Sequence, residues 1–286
     1  MIDNPLIQRE LVGLLRTRRA LAMLTGLAFA FALLVVLRWP SDGVVDYSGE
    51  QSRAVFRVFA LTLTGAVILL VPVFPATSIV VEKRTGTLAL LLNSALTPFS
   101  IYVGKLLAVL GFVVLLLLVT LPAMAACNAL GGVSLRSHIL PLYGVLALAS
   151  LQFATWGLLV SARSDSTDGA VRGTFGGVLV MAVLVLVPDQ FLHGTDGNLA
   201  SVALLLKKIS PIPAILQIIG HGDAGNRGLI NTVDYIREYV TFSAGISAAC
   251  AVFTIYLLGA TILDRARSQG QITDDRSTGM KVARRL

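Results

Sequence analysis

Residues 82–105 read E-K-R-T-G-T-L-A-L-L-L-N-S-A-L-T-P-F-S-I-Y-V-G-K. Two long apolar runs flank them, residues 58–81 and 106–126, and neither contains a charge. Runs of that length cross a hydrocarbon core about 30 Å thick as helices, so the stretch joins one membrane span to the next on a single side. Lys83, Arg84 and Lys105 outweigh the lone Glu82, and excess Lys and Arg at short-loop span ends marks the cytoplasmic face. Gly86 gives the chain a place to leave the axis of the incoming span, and Thr87 suits the N-cap of a new short helix. Leu88, Leu91, Leu92, Ala95 and Leu96 then recur on one face at helical spacing until Pro98 stops the run. A short helix on the cytoplasmic surface is predicted, with an apolar stripe turned toward a partner.

Apolar runs recur along the whole chain. Hydrophobic residues make up 55% of the 286, charged residues 14%, and the mean hydropathy is +0.80, all far from a soluble globular composition. An all-α, polytopic membrane protein follows, with six spans at residues 20–37, 58–81, 106–126, 139–160, 170–187 and 240–263. The net charge of +7 does not point to nucleic acid, because the basic residues sit at span ends and in the tails, with no aromatic-interleaved stripe. With both termini inside, the inner regions hold 15 of the 23 Lys and Arg, and half of the remaining eight fall in one long outer loop.

Residues 1–19 are expected to form a cytoplasmic interfacial helix. Asn4 is its cap, Pro5 its first helical residue, and Ile7, Leu11, Leu14 and Leu15 its apolar stripe, with Arg9 and Arg16 opposite. Thr17-Arg18-Arg19 is similar to a twin-arginine export signal, but no A-x-A-like site follows and five more spans come after it. In the second span, Pro72 and Pro75 free backbone carbonyls and kink the helix, as a hinge or as a fixed bend. Asp165 and Asp168, in the loop at residues 161–172, are balanced by Arg163 and Arg172, with no His or Cys nearby; a solvated turn fits them better than a metal site. The fifth span opens with Gly169, Gly173 and Gly177. This small-xxx-small pattern permits close helix packing, either against a second subunit or within one.

Residues 188–239 make the long outer loop. Within it 199–209 and 213–220 are apolar but too short to cross, and read as half-helices or as amphipathic loop helices. Residues 264–286 form a basic cytoplasmic tail, expected to be partly disordered and drawn to anionic membrane lipid. Cys127 and Cys250 offer neither a disulfide framework nor metal-ligand spacing.

The succession Glu82, Lys83, Arg84, Gly86, Thr87, Leu88, a leucine run, Pro98 and Gly104-Lys105, set between spans two and three, resembles a loop of type-2 ABC transporter permeases. These are the membrane subunits of ATP-driven exporters. Asn93-Ser94 departs from the Thr-Thr-Pro type of turn more usual there. The resemblance implies a coupling helix that docks on a separate ATP-binding subunit, a second permease copy or paralogue, and an inner (plasma) membrane location. ATP and Mg would belong to the partner, with no cofactor on this chain. It also implies that the N-terminal helix, with Arg9-Glu10 as its R-E pair, contributes to docking, and that the half-helices close the outer mouth of the pathway.

Missing motifs agree with that division of labour. The six apolar runs, the fifth counted from Gly173, lack Asp, Glu, Lys, Arg and His, whereas ion-coupled carriers usually need an ionisable relay. Gly104-Lys105 is followed by Leu106, and Phe99 stands where a phosphate-binding loop needs glycine. Neither H-E-x-x-H nor G-x-S-x-G occurs, so the chain is not expected to be an enzyme. A membrane scaffold or assembly factor that binds a lipid or protein through the half-helices is the competing expectation. Hydroxyls such as Thr241, Ser247, Thr254 and Tyr256 do not name a substrate.

Overall fold

A computed structural model describes residues 5–38, 50–88, 97–129, 131–191, 198–220 and 234–283. Among them every regular element is helical, and six helical stretches are long and apolar enough to cross a membrane. Asn4, Leu91 and Leu92 lie outside the described residues.

Helix α1, Pro5–Leu15, begins at the expected proline. Thr17 ends it and starts the next: its hydroxyl donates to the Leu14 carbonyl at 2.7 Å and accepts from the Ala20 amide at 3.2 Å. Helix α2, Arg18–Arg38, is the first span. The second span comes in two pieces, α3 (Glu50–Leu70) and α4 (Val73–Thr85), parted at Val71-Pro72. Pro72 has no N–H for the helical ladder, so the break falls where the prolines predict a kink. Gly86 then ends α4 in the left-handed region at φ 76°, the exit expected of it.

Helix α5, Pro98–Ala129, begins at Pro98. That residue therefore opens the third span, in the first-turn position that needs no N–H, and the Thr97 hydroxyl caps the Ser100 amide at 3.2 Å. A π-helical turn, Leu135–Ile139, leads into α6, Leu140–Arg163, and Ser166 caps α7, Thr167–Ala182. After α8 (Val187–Phe191) come two short helices, α9 (Asn198–Lys207) and α10 (Pro211–Ile218), within the segment expected to hold half-helices. Helix α11 runs from Tyr235 to Ala283. Partial disorder expected of the basic tail is thus replaced, up to Ala283, by helix continuous with the sixth span. No proline interrupts it, and extending an existing helix avoids the cost of nucleation.

α6 is the centre of the bundle: 61% of its spanning window is buried, against 17% for α2 and 22% for α11. Phe56, Phe59, Phe112 and Met124 from its neighbours and Phe153 of α6 itself are buried in one core, with the Phe74 and Phe112 rings 4.5 Å apart. Gly173 and Gly177 of α7 face this helix. A methyl group at Gly173 would stand 2.9 Å from Val160, and one at Gly177 would run into the Trp156 indole. These two therefore serve packing inside the subunit, whereas Gly169 lies in the capping turn, its amide donating to Ser166 Oγ at 3.1 Å.

Side-chain bonds sort the loops onto two ends. At one end Ser52 donates to the Cys127 carbonyl, Arg53 to Gly132, and Arg57 to Ile219. The helix pair is fastened to the bundle by bonds that reach the middle of α6. Gln152 of α6 donates to the Ile209 carbonyl at 3.3 Å and accepts from the Tyr239 hydroxyl at 2.8 Å, while Ser210 donates to the Ala182 carbonyl at 2.6 Å. α1, the close of α4, the start of α5 and the α6–α7 turn share the opposite end. Loops expected on one face of the membrane thus gather together, as do those expected on the other.

Candidate functional site at the base of the 82–105 loop

Four chain segments meet where residues 82–105 enter and leave the bundle. Lys105, in the second turn of α5, is the centre: its side chain is only 2% exposed. Its ammonium donates to Glu82 Oε1 at 2.7 Å and to the Ser78 carbonyl at 3.4 Å, both on α4. Glu10 of α1 stands 3.7 Å away. A buried ammonium stripped of its counter-charge costs about 3–5 kcal/mol, so a carboxylate beside it is a structural necessity for a lysine in that position. Gly104 beside it is buried as well.

A second set of contacts stitches α4 to the α6–α7 turn. Lys83 donates to Asp165 Oδ1 at 2.5 Å, and Arg84 to the Thr167 hydroxyl at 3.4 Å. The hydrogen bond and charge of Lys83 hold the Asp165 carboxyl below its ordinary range. Deeper in, the Ser161 hydroxyl accepts from the Ile79 and Val80 amides at 3.1 and 3.0 Å, tying α4 to α6. Asp168 lies in the first turn of α7, where the helix dipole favours a negative charge.

Leu88 requires a correction. Predicted as the first residue of a partner-facing stripe, it is 4% exposed and packs inside the subunit with Ile79, Ile101, Tyr102, Leu158 and Leu258. Once Gly86 turns the chain back over the end of α4, the next apolar side chain meets the gap between α4, α5 and α11. The Thr87 hydroxyl points back too, donating to the Glu82 carbonyl at 3.4 Å and lying 2.9 Å from Thr85 Oγ1. Glu82, part of the succession that resembles a coupling loop, is likewise turned inward onto Lys105. Among the described residues before the loop's middle, Arg84, Thr85, Gly86 and Thr87 are exposed, with Lys83 half-buried beside them, and on its far side Thr97 and Phe99 are exposed.

On α1, Arg9 is exposed, and Leu11 lies so close to α5 that a methyl group at Gly111 would stand 2.5 Å from it. The helix is therefore a strut against the third span as well as a surface element. Sequence reasoning singled out Glu10, Glu82 and Lys105 and the structure brings them together. It did not find Ser161 as a bolt or Asp165 as the partner of Lys83. Asp165 carried one usable signal, a carboxylate at a span end facing the same side as Lys83.

Chemically the arrangement holds no nucleophile-base pair, and among the described residues no group of three or more His, Cys, Asp or Glu could hold a metal ion. What it does is link the base of the loop to α1, α4, α5 and α6 through ion pairs, hydrogen bonds and apolar packing. The chain matches no protein-family model and no curated protein sequence.

Proposed function

We propose that this chain is the permease subunit of an ATP-driven exporter in a cell's inner (plasma) membrane, worked by a separate ATP-binding subunit and paired with a second copy or a paralogue. One observation carries the reading: the base of the 82–105 loop is fastened to four helices through Lys105, Lys83 and Leu88, while its turn at Arg84–Thr87 is exposed on the surface. A topological loop needs no such anchoring. A loop that receives work from another protein needs both the anchor and the exposed handle.

The inward position of Leu88 revises how the partner would be gripped. Arg84, Thr85 and Thr87 make the contact on this side of residue 89, with the N-terminal helix presenting Arg9 nearby. Charged rim groups of this kind set orientation and partner choice. ATP and Mg would be held wholly by the partner, and ATP-driven closure of two such partners would swing the paired permeases between inward- and outward-open states.

Reconstitution tests the reading. Vesicles holding this chain with its ATP-binding subunit are expected to move an amphipathic substrate only when ATP is supplied. Binding of that substrate with no ATP-dependent flux would instead support the membrane-scaffold alternative.

A further inference from the structure

The cluster at Lys105 holds one more carboxylate than it needs. Lys105 has three protons to donate: one goes to Glu82 at 2.7 Å and one to the Ser78 carbonyl at 3.4 Å. Glu10, at 3.7 Å, is close enough for attraction and too far for a hydrogen bond. Glu82 is itself incompletely satisfied, since its Oε2 is buried with no hydrogen-bond partner.

The two carboxylates also belong to different mechanical pieces. Glu10 rides on α1, which Leu11 wedges against Gly111 of α5, the helix that carries Lys105. Glu82 is on the last turn of α4, beyond the break at Val71-Pro72 and next to the exposed turn. If the end of α4 shifts, Glu82 leaves with it, and Glu10 stays beside the lysine.

Taking residues 82–105 as the loop that moves, as proposed above, we infer that Lys105 is a positioning residue with two alternative counter-ions. It is bound to Glu82 in the state seen here and passes to Glu10 when the close of α4 swings away. The buried cation then keeps a negative partner throughout, so the loop can travel without the loss that an orphaned ammonium would impose. Glu10 contributes little in the resting state and becomes the holding group in the displaced one.

Thermal unfolding of the purified full-length chain in detergent tests this without any partner. Glu10→Gln and Glu82→Gln alone are each expected to lower the midpoint by roughly 2–3 °C, and together by roughly 8 °C or more, well beyond additivity. Adding Lys105→Met to the double variant is expected to recover most of the loss, because the orphaned charge is gone. Spin labels at Val12 and Thr87, both exposed, are expected to show a second, longer separation in Glu82→Gln that the native chain lacks. A silent Glu10→Gln in both backgrounds, an unchanged distance distribution, or a Glu82→Gln chain that cannot fold would each overturn the handover. Such a failure would leave the permease reading standing, whereas a chain that binds no ATPase would remove that reading and leave these measurements untouched.

Discussion

Arg84 and Leu88 are four residues apart, on either side of the left-handed turn at Gly86, and face opposite ways. Their substitutions should separate stability from partner binding. Leu88→Ala is expected to destabilise the chain by about 2–4 kcal/mol, as for other buried leucines, read as a lowered unfolding midpoint. Arg84→Glu is expected to stay within about 0.5 kcal/mol of native stability, since the side chain is exposed. Asp165 gives a pH-dependent counterpart. Its folded carboxyl titrates below the ordinary value of about 3.9, so its pairing with Lys83 is fully present above that pH and is lost as pH falls through the depressed folded value. The midpoint difference between native chain and Asp165→Asn is therefore expected to hold at neutral pH and to vanish in that acid window. At this scale the charges of residues 82–84 and 105 were legible in the sequence, because span ends concentrate them. Their pairing was not: Lys83 and Asp165 lie 82 positions apart, and nothing local states that two loops share one corner.

At the scale of elements, hydropathy alone located all six helices that are long and apolar enough to cross a membrane, since in lipid a run of that length satisfies its backbone within a helix. The first was drawn as it lies, Ala20–Leu37, but the loop-side ends of the second and third were drawn too short. Lys105 and Glu82 read as loop residues because a lone charge is costly in a membrane helix, yet paired with each other they let α4 and α5 continue through them. The glycines of α7 were recognisable as a packing face, but spacing does not say against which helix. Gly177→Leu is expected to force α7 away from Trp156 and cost about 1–3 kcal/mol, with the midpoint as readout. Gln152 was missed altogether, because one amide in a long apolar run gives no hint that Tyr239 and the Ile209 carbonyl will meet it. Gln152→Leu is expected to loosen α9 and α10 selectively and raise amide exchange over residues 198–218 about tenfold, with α5 unchanged.

Taken whole, the molecule has two unlike ends. One gathers short helices under polar clasps at Gln152 and Arg57. The other gathers α1, the α6–α7 turn and the base of the 82–105 loop around buried Lys105, with a small polar turn exposed at Arg84–Thr87. Among the described residues Asp, Glu, Lys, Arg and His lie toward the two ends of the bundle, and a permease of the kind proposed above would receive its energy at a surface. Purification through a tag on this chain from its native membrane, followed by assay of ATP hydrolysis in the eluate, tests that most directly. The account predicts ATPase activity eluting with the native chain and lost with Arg84→Glu, although that variant folds and inserts normally. Absence of ATPase from the native eluate, or equal activity with the variant, would contradict it.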